Sequence, residues 1–416
     1  MNRSVLSWSK ENGYDLAFKF ILFGISPFIG FIYSLKNLNT RSSYIVLFLT
    51  GIFFGMSFSI GYDQSIDASR HRVYFERDFF IGWNEYLNTV LNFFSFNSST
   101  KDLFRDTVSF IVSRFTNNYH WYFLVIAVIY GYFSLKSLRY LTSYKHYAFS
   151  ISFLLITFIF LKNNIFHING VRFWTAGWIA TYAIFQIFVS NNKRYFLLLA
   201  LTPLVHISYV VVFALAALSV VYQNTLSLKN NDKPLYMIYF FSVFFSFFSI
   251  SLLQGLTDYL PPVLNRLVQA YTDSEYVSEI NDFDRTLTGM YFNIAKQAYI
   301  NFMLILIIKS RHLVVNNFKT KSVFNFVIIL MCFVNAFMFV PSLGGRFFLF
   351  SFPLISFIWA VTFKGKRYNT VLYLIPLVFL RDIYVSFNHF SEVLVLSDLY
   401  ASPVFLIYKY LINYSL

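Results

Sequence analysis

Charge is scarce in this chain: only 12% of its 416 residues are Asp, Glu, Lys or Arg, against 57% hydrophobic and 22% aromatic, and the mean hydropathy is +0.57. That balance excludes a soluble domain of this length, because too little polar surface remains to face water. A single cysteine, Cys332 in an apolar run, excludes a disulfide framework and a thiolate metal site. Alternation of polar and apolar residues is missing as well. A barrel is therefore disfavoured and helices remain, since backbone groups in hydrocarbon must be paired within the segment. The first 13 residues show no cleavable signal pattern, so the first apolar run is expected to persist as a helix. Acids are rarer than bases, 19 against 33, which gives a formal charge of +14. The Lys and Arg residues are dispersed in short clusters between apolar runs, the pattern of topology signals and not of a nucleic-acid partner.

What remains is apolar sequence in repeated runs, at about 15–35, 44–62, 119–135, 147–161, 170–190, 195–223, 235–256, 291–308, 323–340, 346–363 and 368–387, with a weaker one near 400–413. The expected fold is an all-α polytopic membrane protein, one transmembrane domain over residues 1–416 with about 11–13 helices. Short basic connectors (Lys36 and Arg41; Lys136, Arg139 and Lys145; Lys193 and Arg194; Lys229 and Lys233; Lys309 to Lys321; Lys364 to Arg367) are expected to face the cytoplasm. Two long loops of mixed charge, 63–118 and 257–290, are then extracytoplasmic. Parity sharpens this. Basic connectors bracket residues 195–223, so that segment must cross an even number of times, yet two full spans need about 40 residues. A short or re-entrant hairpin is expected there, with Pro203 freeing a carbonyl near the bend and His206 at the apex. The same counting assigns the N-terminus to the outer side.

Sorting polar groups by side locates the candidate site. The basic connectors offer no glycine-rich phosphate loop and no acidic pair for a metal-bound nucleotide sugar. Arg172 follows Asn169-Gly170 at the mouth of an apolar helix, and Arg346 follows Leu343-Gly344-Gly345 at another. Snorkelling to lipid headgroups is the bland reading of such arginines. Two planar guanidinium forks at helix N-termini also suit a diphosphate. His206 reads either as a core histidine bonded to a carbonyl or as a general base or phosphate ligand. In the first loop, helical spacing puts Asp67 and Arg70 on one face near His71 and Tyr74, so Asp67 is the second candidate base and Arg70 and Tyr74 candidate acceptor-sugar contacts. His167 and Arg285, on the same side, are further glycan-binding candidates. Asp282-Phe-Asp284 is too short a pattern to assign a metal, and neither metal nor cofactor is assigned.

These residues carry a resemblance. Gly61-Tyr-Asp63, Asp67-Ala-Ser-Arg70 with Tyr74-Phe75, Asn117-Asn118-Tyr119 leading to Gly131-Tyr-Phe-Ser, Asn169-Gly170-Val-Arg172-Phe173 with Ala176, and Pro203-Leu-Val-His206-Ile-Ser208 resemble the EpsG-type branch of Wzy-like polysaccharide polymerases over roughly residues 15–365. His71 stands where that pattern leads one to expect a tyrosine, and the final helix is weak. The resemblance implies a glycosyltransferase of the lipid-donor, GT-C-like kind in the bacterial inner membrane. It would join undecaprenyl-diphosphate-linked oligosaccharide repeat units of an O antigen, capsule or exopolysaccharide at the outer face, with membrane lipid and a chain-length regulator as candidate partners. The competing readings are a flippase for the same lipid-linked glycan and a membrane glycan acyltransferase. Cations concentrated at the outer end and the absence of a cytosolic histidine cluster favour the polymerase.

Overall fold

The computed structural model describes residues 8–62, 67–95, 103–143, 150–225, 232–245, 287–315, 318–338, 343–363 and 368–413, with Phe248, Gly255, Tyr259 and Val340 besides. Asp63, Asp282, Asp284, Arg285 and nearly all of the 257–290 loop lie outside the described residues. Among those described, every regular element is a helix, and the chain is an all-α polytopic membrane protein. The larger helices are α1 (Gly13–Ile25), α2 (Pro27–Ser34), α3 (Arg41–Met56), α4 (Asp67–Asp78), α5 (Trp83–Phe94), α6 (Phe104–Ser113), α7 (Tyr119–Thr142), α8 (Ile151–Phe160), α9 (Phe173–Ile184), α10 (Tyr195–Val205), α11 (Tyr209–Thr225) and α12 (Lys233–Phe245). They continue with α13 (Leu287–Lys309), α14 (Phe318–Ala336), α15 (Gly344–Thr362), α16 (Leu380–Val393) and α17 (Pro403–Ile407).

Among the described residues, four helices are long and apolar enough to cross a membrane: Tyr119–Thr142, Ile151–Gly170, Tyr291–Lys309 and Gly344–Thr362. The pair Asn369–Val378 and Leu380–Val393, bent by 52°, makes a fifth if taken as one span, and seven other apolar helices have only 10–17 residues. Among the described residues several of the expected runs form shorter helices, because capping or helix-terminating residues break them.

The first run shows how. It was expected to be one helix, and it is a hairpin. Ser26 adopts extended backbone, its hydroxyl accepts from the Ile29 N–H at 3.3 Å, and Pro27 starts α2 where a missing donor costs nothing. The two helices pack so closely that a Cβ on Gly30 would lie 2.8 Å from the Phe23 Cα. The Tyr33 hydroxyl donates to Asp15 at 2.8 Å across the pair. Residues 8–11 are thereby returned to the face of the basic connectors: the Ser9 N–H donates to Asn39 O at 2.9 Å, and Trp8 packs on Tyr44 with the Arg139 guanidinium 4.0 Å from its ring. Trp8 and Ser9, the first described residues, thus lie on the basic face, whereas parity assigned the N-terminus to the opposite one. Counting runs as crossings misses a reversal inside a run.

At the bundle centre α15 is buried nearly all round, against α14, α8, α9 and α7. A helix apolar on every face belongs there. Helices α3 and α7 meet over Gly55, whose Cβ would stand 2.6 Å from that of Ala127, so only glycine permits this approach. The segment 195–223 does form the expected hairpin. Helices α10 and α11 are joined by His206-Ile207-Ser208, and the rings of Phe196 and Phe213 meet at 6.3 Å, which a continuous helix would hold about 25 Å apart. Pro203 cannot donate to Leu199 O, and the Thr202 hydroxyl supplies that bond instead at 2.6 Å.

Candidate functional site

The corner before α9 is built from buried hydrogen bonds. The Asn164 side chain accepts from the Phe166 N–H at 2.9 Å and starts a 3-10 turn, Ile165–Gly170. The Tyr130 hydroxyl from α7 sits within 2.9 Å of Asn163 O, Asn163 Oδ1 and Asn164 O, and the Trp178 indole donates to Asn163 O at 3.2 Å. Held at both ends, the chain forces Val171 to φ 45°, a conformation a β-branched residue avoids. Strain at one residue persists only where its surroundings over-determine it, and such residues cluster at functional sites. Here the strained residue immediately precedes Arg172, which caps α9.

Phe173 is the common floor of the mouth. The Arg346 guanidinium lies 5.3 Å from its ring centre, and the His206 ring meets it edge-on at 5.1 Å. Arg346 and His206, distant in sequence, therefore meet on Phe173, the chain neighbour of Arg172. Arg346 starts from α15 after a tight turn in which a Cβ on Gly344 would overlap the Phe337 carbonyl oxygen, so the glycine is required for the turn. Arg346 has no ion-pair partner among the described residues. His206 Nδ1 accepts from the Ser208 N–H at 3.3 Å, which leaves the proton of a neutral ring on Nε2. Beneath them Tyr209 is fully buried and its hydroxyl has no partner among the described residues.

The first loop closes over this mouth. The Leu103 N–H donates to Leu204 O at 3.0 Å, joining the start of α6 to the hairpin apex, while α4 packs on α6, α7 and the 3-10 turn. His71 is only 5% exposed and its Nδ1 has no partner among the described residues. Burial, and then the guanidinium groups of Arg172, Arg105 and Arg70, push its pKa down to about 3, so the imidazole is neutral at physiological pH. Arg172 and Arg105 also act on Tyr122, another fully buried hydroxyl without a described partner.

The other candidates are placed differently. Asp67 and Arg70 pair with each other at 2.6 Å on an exposed face. Tyr74 is flanked by Arg105 at 4.2 Å and Arg77 at 5.0 Å. His167 stacks on Trp174 at 4.5 Å and is directed to a second cluster, in which Lys162 and Lys296 share Asp382 Oδ1 at 3.0 and 3.2 Å. Arg285 lies outside the described residues. Sequence reasoning missed Arg105, Tyr122, Tyr209 and the Lys162–Asp382–Lys296 cluster; the only signal was a charge inside or beside an apolar run, and nothing indicated which distant runs would meet.

A cationic mouth over a helical hairpin, set in a bundle of apolar helices, defines a polytopic membrane protein with arginines at its helix ends. The chain matches the EpsG family over residues 73–402 and belongs to that family, one of Wzy-like polysaccharide polymerases. Membership indicates a polysaccharide polymerase. The match contains Arg172, His206 and Arg346, and begins after Asp67, Arg70 and His71. No match was found among curated proteins or among solved structures.

Proposed function

We propose that the chain polymerises oligosaccharide repeat units carried on undecaprenyl diphosphate at the outer face of the bacterial cytoplasmic membrane. The observation that carries this reading is the meeting of Arg346 and His206 on Phe173, directly beside Arg172. An acceptor hydroxyl oxygen attacks the anomeric carbon of the donor glycan. The bond from that carbon to the diphosphate oxygen breaks, and the lipid diphosphate leaves with the electron pair. Arg172 and Arg346 stabilise the charge that develops on the leaving group, an electrostatic contribution usually among the largest in such reactions. His206, donating through Nε2, adds a hydrogen bond to the same oxygens.

The acceptor proton needs a base. His71 is buried, and with its pKa pushed down to about 3 by burial and by Arg172 it accepts a proton poorly, whereas Asp67 stands on the exposed face beside Arg70. With His206 donating to the leaving group, we assign the base role to Asp67. The basic face supports no competing nucleotide chemistry in its connectors. The test is polymer length on gels from cells carrying Arg172→Ala, Arg346→Ala, His71→Gln, His206→Gln or Asp67→Asn, with protein level measured. Loss of long chains in both arginine variants and in Asp67→Asn is expected. Normal ladders from both arginine variants would overturn the diphosphate clamp, and a normal ladder from Asp67→Asn would pass the base role to His206.

A further inference from the structure

We infer that the apolar cavity between α11, α12 and α14 seats the polyprenyl chain of the lipid diphosphate; this deepens, and rests on, the function proposed above. The cavity holds about 730 Å³ and is walled by Leu215 and Leu218 of α11, Leu235 and Phe241 of α12, and Phe333 and Ala336 of α14. Its direction follows from the helices. Helices α12 and α14 both begin at basic connectors, at Lys233 and beside Lys319 and Lys321, and α11 runs from the His206 apex back to the same face. Tyr222, Pro234 and Leu235 therefore line the basic-face end, and Phe333 and Ala336 the mouth end.

The mouth end adjoins the arginines through a chain of rings. Phe333 meets Phe347 at 5.7 Å, Phe347 meets Phe173 at 5.7 Å, and the Arg346 guanidinium rests 5.3 Å from Phe173. A diphosphate at the mouth would thus have its lipid tail at the entrance of the cavity. Length distinguishes the occupant from ordinary lipid. Along α12 the wall from Pro234 to Phe245 rises about 17 Å, beyond the roughly 15 Å of hydrocarbon in one leaflet. An outer-leaflet phospholipid chain ends near the midplane, whereas a long isoprenoid continues past it. The α12 wall is open to the lipid phase, with Ile238, Phe241 and Phe244 exposed, so a chain can enter sideways without threading.

The test measures binding of undecaprenyl diphosphate and of geranyl diphosphate to the purified full chain. Leu218→Trp fills the deeper part of the cavity and is expected to weaken undecaprenyl diphosphate at least about tenfold, the contribution of roughly two buried methylenes, while leaving geranyl diphosphate unchanged. Ala336→Trp, at the mouth end, is expected to weaken both. Leu197→Trp, on the exposed face of α10, serves as the control that changes neither. Wild-type preference for the longer chain persisting in both Leu218→Trp and Ala336→Trp overturns the cavity assignment. Failure of the underlying reading looks different: the wild type then binds neither diphosphate, or Arg172→Ala and Arg346→Ala bind both as the wild type does.

Discussion

Lys19 and Arg346 both place a positive charge among apolar helices, and their surroundings differ in kind. Lys19 is fully buried in α1 near the basic face, paired with Glu11, with Asp15 at 3.1 Å, and bonded to Thr40 at 3.0 Å and Ser42 at 3.1 Å. Its charge is consumed in holding the α1–α2 hairpin to the start of α3. Arg346 is half-buried, rests on an aromatic face, and meets no carboxylate among the described residues. A cation satisfied on all sides is structural. One that meets no carboxylate among the described residues, at a mouth built on a strained corner, is the one that the proposed function gives to an anionic ligand.

The largest effect that would sharpen this contrast is on turnover. Arg172→Ala and Arg346→Ala should each lower the polymerisation rate by about 10²–10³, as loss of one transition-state donor does elsewhere, with normal protein level in membranes. An equal loss in Lys19→Met, per folded molecule, would erase the distinction. Lys19→Met should instead cost about 3–5 kcal/mol of stability, because Glu11 and Asp15 are left without their counter-ion; thermal unfolding in detergent checks it, with activity per folded molecule unchanged. Gly344→Ala lies between the two classes. Its methyl would overlap the Phe337 carbonyl oxygen, so about 1–3 kcal/mol of stability and some displacement of Arg346 are expected together, read as a lower melting temperature and shorter polymer.

The smallest effect concerns pH. The folded-state pKa of His71 is depressed from the ordinary value to about 3, so on acidification the unfolded chain binds the proton first. Stability held by the neutral buried ring is whole above about pH 6.5 and is lost progressively as pH falls towards 3, by about 2 kcal/mol at pH 5. Melting curves at pH 7.5 and 5 should show this decline in the wild type and a smaller one in His71→Gln. Identical declines would mean that His71 is not buried as a neutral ring.

Much of the mouth was legible because its parts are local. Arg172 and His206 flank one basic corner, and charge counting across that corner requires a hairpin, which puts both at the same level. Arg346 was legible for a similar reason, a glycine pair ahead of an arginine at a helix start. The burial of His71 was not legible, since α4 reads as a solvated loop helix until α6 and α7 are packed on it. Nor was the meeting of Lys162, Lys296 and Asp382, which stand on three helices and share one carboxylate oxygen. The α1–α2 hairpin was missed for a different reason. Hydropathy averages over Ser26, and it does not register that a serine cap followed by proline permits reversal inside an apolar run.

By itself the sequence determined that the chain is helical and membrane-embedded, because 57% hydrophobic residues with 12% charge admit no other way to pair the backbone. It also determined where topology signals fall and that residues 195–223 must double back. Only the tertiary structure decided which charges are neutralised and which face the mouth, because that depends on which distant helices touch. Lys19 meets Glu11 through the fold of one hairpin, whereas Arg346 meets Phe173 through the packing of α15 on α9. Electrostatic interaction is short-ranged in effect and conditional on burial, so a charge has no assigned role until its neighbours are in place.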